Sequence, residues 1–290
     1  MPLVAATIAP HGWDLIPDLD ENAGGALATQ GALKQAGLLF AEADVDTVVL
    51  AGPHGIRVEG AICLGNVGRG AGTLERHGHK AEMNVPYDRP LALEIAAACE
   101  SAGVPTALAG YAGNRPDQSA TPLDWGAMVP LWFLGHDDNR PGSGSVLAPT
   151  PKDDHGPAIV LITPSRVLPR QAMVDFGKVL GEVFAKSGKK IGFVASCDWG
   201  HAHKESGPYG YHPAAAIVDD QVVAAIKAND LLSLIDLPDE DVQNAAIDGL
   251  WQVLMLAGIQ GVTPLDVTFR SYEHPDYFGM IVATYVPARA

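Results

Sequence analysis

Residues 46–55 read Asp-Thr-Val-Val-Leu-Ala-Gly-Pro-His-Gly. The β-branched, apolar run predicts a buried strand, and Gly52-Pro53 stops it, because proline has no N–H to give to a sheet ladder. The strand thus delivers His54 to its carboxyl end, and Gly55 lets the chain turn sharply beside the imidazole. The pattern recurs earlier: an apolar run over 3–9 leads through Ile8-Ala-Pro-His-Gly12 and places His11 in the same way. In open α/β sheets, ligands bind beyond the carboxyl ends of the strands. Two such turns therefore put two imidazoles where a site belongs.

Outward from these turns, apolar runs predict further strands over 58–64, 105–109, 158–163, 190–196, 267–272 and 279–286. Longer periodic stretches predict helices over 25–43, 90–102, 169–186, 213–229 and 239–257. Residues 137–157, rich in Pro, Gly, Asp and Ser, read as an internal loop. Strands alternating with helices predict one α/β domain over 1–290, its central sheet largely parallel or mixed, with helices on both faces.

The 290 residues can bury a substantial core, and 47% hydrophobic against 18% charged residues marks a globular chain. A formal net charge of −15 repels phosphate backbones and anionic lipid, which argues against nucleic-acid and membrane-surface roles. Cys63, Cys99 and Cys197 show no CxxC spacing, and their odd number argues against a disulfide framework. The first ten residues lack a basic n-region, and no apolar stretch approaches the roughly 20 residues that span a bilayer, so a cytoplasmic, reducing location is expected.

His11 and His54 are the leading metal-ligand candidates; for one isolated histidine a polar turn would be the better reading. A third histidine, His201, follows the 190–196 strand inside Ser196-Cys-Asp-Trp-Gly-His-Ala-His-Lys-Glu-Ser-Gly-Pro-Tyr-Gly-Tyr-His-Pro213. Polar loops of this kind on α/β scaffolds line sites. His77 and His79 read as surface loop residues with no strand before them, and His136, His155 and His274 receive the same reading. Two imidazoles plus one carboxylate make a facial triad with open positions, the pattern of non-haem Fe(II) oxygenases. Asp239, Glu240 and Asp241 read as first-turn helix acids. Asp248, set in an apolar stretch, is costly to bury unless paired or metal-bound, although a partly exposed helix residue would also fit.

Taken together, several segments resemble the class III extradiol dioxygenases, the family of the protocatechuate 4,5-dioxygenase catalytic subunit. They are Ala9-Pro-His-Gly-Trp13, Gly52-Pro-His-Gly55, Leu123-Asp-Trp-Gly-Ala-Met-Val-Pro-Leu131, the 196–213 segment, Asp248-Gly-Leu-Trp-Gln-Val-Leu-Met-Leu-Ala-Gly258 and Tyr272-Glu-His-Pro-Asp-Tyr-Phe-Gly279. Each is weak alone; their order along nearly the whole chain is fairly specific. The resemblance implies that His11 and His54 ligate Fe(II), that Asp248 falls at about the place of the third, carboxylate ligand, and that His201 is the acid–base histidine. It also implies a small aromatic diol and O₂ as substrates, and a homo-oligomer, typically a dimer, or a small partner subunit. Many members carry Asp-His-Gly before the Val-Pro-Leu strand, whereas this chain has Asp124-Trp125-Gly126. Trp125 cannot exchange an acidic proton but can stack on an aromatic substrate, as can Trp13. His203 and Tyr209 are the candidates to take over the missing histidine's role.

The expected reaction opens an aromatic ring next to a diol, with O₂ as oxidant. Two rivals stay open: a zinc-dependent hydrolase on the same three ligands, and a binding protein that has lost catalysis.

Overall fold

The structure is a computed structural model and describes residues 3–20, 25–149 and 155–289. Residues 150–154 of the expected 137–157 loop lie outside these. The chain forms one α/β domain around a mixed eight-stranded sheet.

Its centre is built from the two runs that opened the sequence. Strand β1 (Leu3–Ala9) pairs in parallel with β9 (Ile191–Ser196). β9 pairs in parallel with β2 (Thr47–Ala51), and β2 with β8 (Ala158–Thr163). β2 and β9 are buried along their whole length, as parallel strands covered on both faces must be. The closing hairpin, β10 (Leu265–Glu273) and β11 (Met280–Pro287), joins antiparallel to the outer side of β1. On the other flank β3 (Ile62–Gly65) runs antiparallel to β8 and parallel to β6 (Thr106–Ala109).

Helices cover both faces. On one lie α1 (Leu27–Glu42) and α3 (Trp125–Phe133): a Cβ on Gly192 of β9 would meet the Phe40 ring of α1. On the other, α4 (Arg170–Lys186) packs on α7 (Leu250–Gln260) through glycines. A Cβ on Gly177 would lie 2.0 Å from the Met255 carbonyl oxygen, and one on Gly258 2.1 Å from that of Val174. Helix α2 (Arg89–Ala102) flanks β3 and β6, and α5 (Ala214–Lys227) packs against β10. None of the helices among the described residues is long and apolar enough to cross a membrane.

Three expectations need correction. First, His77 and His79 do follow a strand: β4 (Arg69–Arg76) and β5 (His79–Pro86) form a hairpin, joined in a second small sheet by β7 (Ala120–Pro122). His77 and Gly78 form its two-residue turn, with φ +50° and +82°. Glycines obscured β4, and they are there because a Cβ on Gly72 would lie 2.3 Å from the Leu123 carbonyl oxygen.

Second, Val129-Pro130-Leu131 lies in α3 rather than in a strand. Asp124 caps this helix by accepting a hydrogen bond from the Ala127 N–H. Pro130 removes the N–H that would bond the Gly126 carbonyl, and Ser196 Oγ donates to that carbonyl instead, at 2.5 Å.

Third, the helix expected over 239–257 is two: α6 (Asp239–Ala245) and α7, separated by Ala246 at φ +53°. Asp248 sits in the break.

Candidate metal centre

The parallel strands deliver their carboxyl ends to one edge of the sheet, and the candidate residues gather there. His11 leaves β1, His54 leaves β2, Asp198 leaves β9, and Asp248 arrives from the break ahead of α7. Donor atoms of His11, His54 and Asp248 all lie within 4.8 Å of one another. The two Pro-His-Gly turns need glycine for different reasons. Gly55 has φ +88°, a left-handed conformation that disfavours any Cβ. Gly12 has an ordinary φ of −57°, but a Cβ there would lie 2.9 Å from the Phe278 ring.

His11 is buried and held at both ring nitrogens. Nδ1 lies 3.1 Å from Ser196 Oγ. Because the Ser196 hydroxyl proton is committed to the Gly126 carbonyl, Oγ must accept from His11 Nδ1–H. This relay aims Nε2 at the carboxylates, 3.4 Å from Oδ2 of both Asp198 and Asp248. It is the arrangement that orients metal-ligating histidines. The relay also ties Pro130, far away in sequence, to the tautomer of His11.

Electrostatics divide the four groups. Burial alone would lower the His11 pKa, but Asp198 and Asp248 outweigh it and raise the value to about 9. Burial and the neighbouring His11 charge push His54 down to about 4, so its ring is neutral at pH 7. Burial raises Asp198. Burial also works against ionised Asp248, yet His11, His201 and His54 together hold its pKa below the usual range. Asp248 further accepts a 2.8 Å hydrogen bond from the Asp198 N–H and sits beside the N-terminus of α7, which favours negative charge. His54 Nδ1 is buried with no hydrogen-bond partner among the described residues.

The donor set fits a divalent cation: two imidazoles, one of them neutral with an uncommitted ring nitrogen, and a carboxylate kept ionised. In the metal-free protein, the His11 proton supplies the positive charge that the two buried carboxylates demand.

A cleft of about 540 Å³ opens above this cluster. Trp125, exposed at the head of α3, lies 4.3 Å from the His54 ring, and Trp13 lies 5.8 Å from Trp125. His201 lines the same cleft between Tyr209 at 5.6 Å and Phe278 at 5.8 Å, with Nδ1 buried and unbonded among the described residues. Of the expected site residues, the structure gathers His11, His54, Asp248, His201, Tyr209, Trp125 and Trp13 around one cleft.

His203 is placed elsewhere. Its Nε2 bonds the fully buried Asp219 at 2.8 Å, and Asp219 also accepts from Tyr272 Oη and the Gly200 N–H. That knot joins the 196–213 loop to α5 and β10, so His203 holds the loop and does not face the cleft. His274, read as a plain loop residue, stacks on His203 at 4.4 Å.

Sequence reasoning passed over Ser196, Asp198, Asp124 and Arg166. Asp198 carried a signal, since it follows a buried strand by two residues, as His11 does. Nothing in the sequence marked Ser196 as the partner of His11.

Comparison with known proteins agrees with this geometry. The model of the family "Catalytic LigB subunit of aromatic ring-opening dioxygenase" matches residues 11–283, so the chain belongs to that family. It is similar to Protein CA_C1420 of Clostridium acetobutylicum, 23% identical over 229 residues, covering 79% of this chain and 45% of that protein. The chain thus spans under half the length of that curated relative. The crystal structure of uncharacterized protein JW3007 from Escherichia coli K12 shares the fold, with a TM-score of 0.61 at 14% identity, covering 97% of this chain and 99% of that one.

Proposed function

We propose that this chain is a non-haem Fe(II) extradiol dioxygenase, opening the ring of a catechol-type substrate next to its two hydroxyls with O₂. The observation that carries the reading is the convergence of His11, His54 and Asp248 on the floor of a cleft walled by Trp13, Trp125 and His201, in a chain of the ring-opening family. His11, His54 and Asp248 would hold a ferrous ion and leave positions open to the cleft, and the bound ion would supply Lewis-acid chemistry toward the diol and O₂.

The chain's own residues do the rest. Trp125 and Trp13 offer aromatic faces that orient the substrate ring and exclude water from one side. His201, over the cleft with a free ring nitrogen, takes a proton from a diol hydroxyl and returns it when the ring opens. Tyr209, edge-on to His201, completes that wall in place of the second histidine that many members carry. Asp198 stays bonded to the His11 N–H and keeps the turn at β1 in register.

Two substitutions separate metal binding from turnover. His11→Ala should abolish iron binding, measured as metal content after anaerobic loading. His201→Ala should keep iron and lose ring opening. Full activity after either change sinks the reading. Stoichiometric zinc without iron in anaerobically purified protein points to a hydrolase instead.

A further inference from the structure

Asp124 lies beside the metal centre and takes no part in the reaction described above. Its carboxylate caps α3 by accepting from the Ala127 N–H at 3.2 Å, and the N–H groups of Gly126 and Gly55 also favour its ionised form. It therefore touches both the head of α3 and the turn that carries His54. Next to it is a small cavity of about 30 Å³, lined by His54, Asp124 and Thr163 and closed by Leu50, Ala127 and Ile162. That is more than the roughly 10–15 Å³ that one water needs.

Three polar groups converge on this space. The position that a Cβ would take on Gly126 lies 3.1 Å from both His54 Nδ1 and Asp124 Oδ1, so the missing side chain lets the two approach one point. The same position on Gly55 lies 3.2 Å from Thr163 Oγ1 and 3.9 Å from Asp124 Oδ2. Thr163 commits its hydroxyl proton to the His54 carbonyl at 2.9 Å, which leaves its oxygen free to accept. His54 Nδ1 is shut off from solvent against Gly126, so Nε2 is the nitrogen left to face the metal. A buried ring nitrogen without a partner costs free energy that a bonded water recovers.

We infer that Asp124 positions His54 through one water held in this cavity. The Nδ1–H donates to the water, and the water donates to the Asp124 carboxylate and to Thr163 Oγ1. The link fixes the ring plane and the tautomer, aims the Nε2 lone pair at the metal and makes it a better donor. The two imidazoles then have matched supports, Ser196 behind His11 and Asp124 behind His54. The inference rests on the metal-centre reading and is independent of ring opening.

The test uses the Co(II)-loaded protein, because Co(II) accepts the same ligands and moves the N–H protons of bound imidazoles far from the rest of the proton NMR spectrum. Such protons are seen only where they exchange slowly with solvent. Two signals are expected, one from His11 over Ser196 and one from His54 over the water. Ser196→Ala should remove the first and Asp124→Ser the second. Serine still caps α3, but its hydroxyl is too short to reach the cavity. Asp124→Ser should also weaken Co(II) binding about 10- to 100-fold. Asp124→Asn keeps both the cap and an acceptor, and should restore the signal and most of the affinity. A single signal from the unmodified protein overturns the inference, as does a His54 signal that survives Asp124→Ser. A crystal structure of the unmodified protein that resolves ordered water decides independently of any variant. One water bonded to both His54 Nδ1 and Asp124 is expected, and a dry cavity or a direct contact overturns the bridge. An Asp124-dependent signal in a protein that opens no ring leaves the positioning role standing and removes the ring-opening reading. A protein that binds no Co(II) removes the metal-centre reading and this role with it.

Discussion

Metal binding should release close to one proton at pH 7.5, nearly all of it from His11. With its pKa raised to about 9, the His11 ring is about 97% protonated at that pH, whereas an unperturbed imidazole near 6.5 is only about 9% protonated. His54, pushed down to about 4, has no proton to give. Because a metal ligand must be deprotonated, the His11 proton leaves as the ion arrives. Isothermal calorimetry with Mn(II), in buffers of different ionisation enthalpy, reads this number directly. The same shift sets the pH dependence of the metal-free protein. A pKa raised in the folded state contributes stability that is fully present below about 6.5 and is lost as pH rises through about 9. The loss amounts to about 3 kcal/mol. Denaturant unfolding at pH 6 and pH 9.5 should show it in the unmodified protein but not in His11→Asn. Release of fewer than about 0.3 protons, or identical pH slopes for the two proteins, refutes the electrostatic account of the centre.

Three further changes probe the supports around it. Ser196→Ala breaks the relay from His11 Nδ1 to the Gly126 carbonyl and should weaken metal affinity about 10- to 100-fold, read by competition with a chelating dye. Asp219→Asn cannot satisfy His203, Tyr272 and the Gly200 N–H together, and should destabilise the fold by about 3 kcal/mol in denaturant unfolding. Gly177→Ala forces a methyl against the Met255 carbonyl and should cost about 1–3 kcal/mol, seen as a lower Tm with the metal site chemically unchanged.

What the sequence revealed follows from how local each feature is. The β-branched runs before the two Pro-His-Gly turns carry their own strand signal, so β1, β2 and the positions of His11 and His54 were legible. The β4–β5 hairpin was not, because its glycines answer to Leu123, a neighbour only in space. Helix α3 was misread at Val-Pro-Leu because the carbonyl that Pro130 leaves unbonded is satisfied by Ser196 from another strand. The break at Ala246 hid in the same way: the apolar period continues across it, and the pairing of Asp198 with Asp248 holds it open. His203 shows the limit for function. Its residue type and loop suited an active site, and only the buried Asp219 carboxylate, sixteen residues on, turns it away.

The central claim is that a metal held by His11, His54 and Asp248 makes this chain a ring-opening dioxygenase. Oxygen uptake by the Fe(II)-loaded protein with a catechol-type diol tests it most directly. The account predicts one O₂ consumed per ring opened, with uptake lost in His54→Ala and on chelation. Uptake that persists in His54→Ala, or no uptake with any diol from an iron-loaded protein, contradicts it.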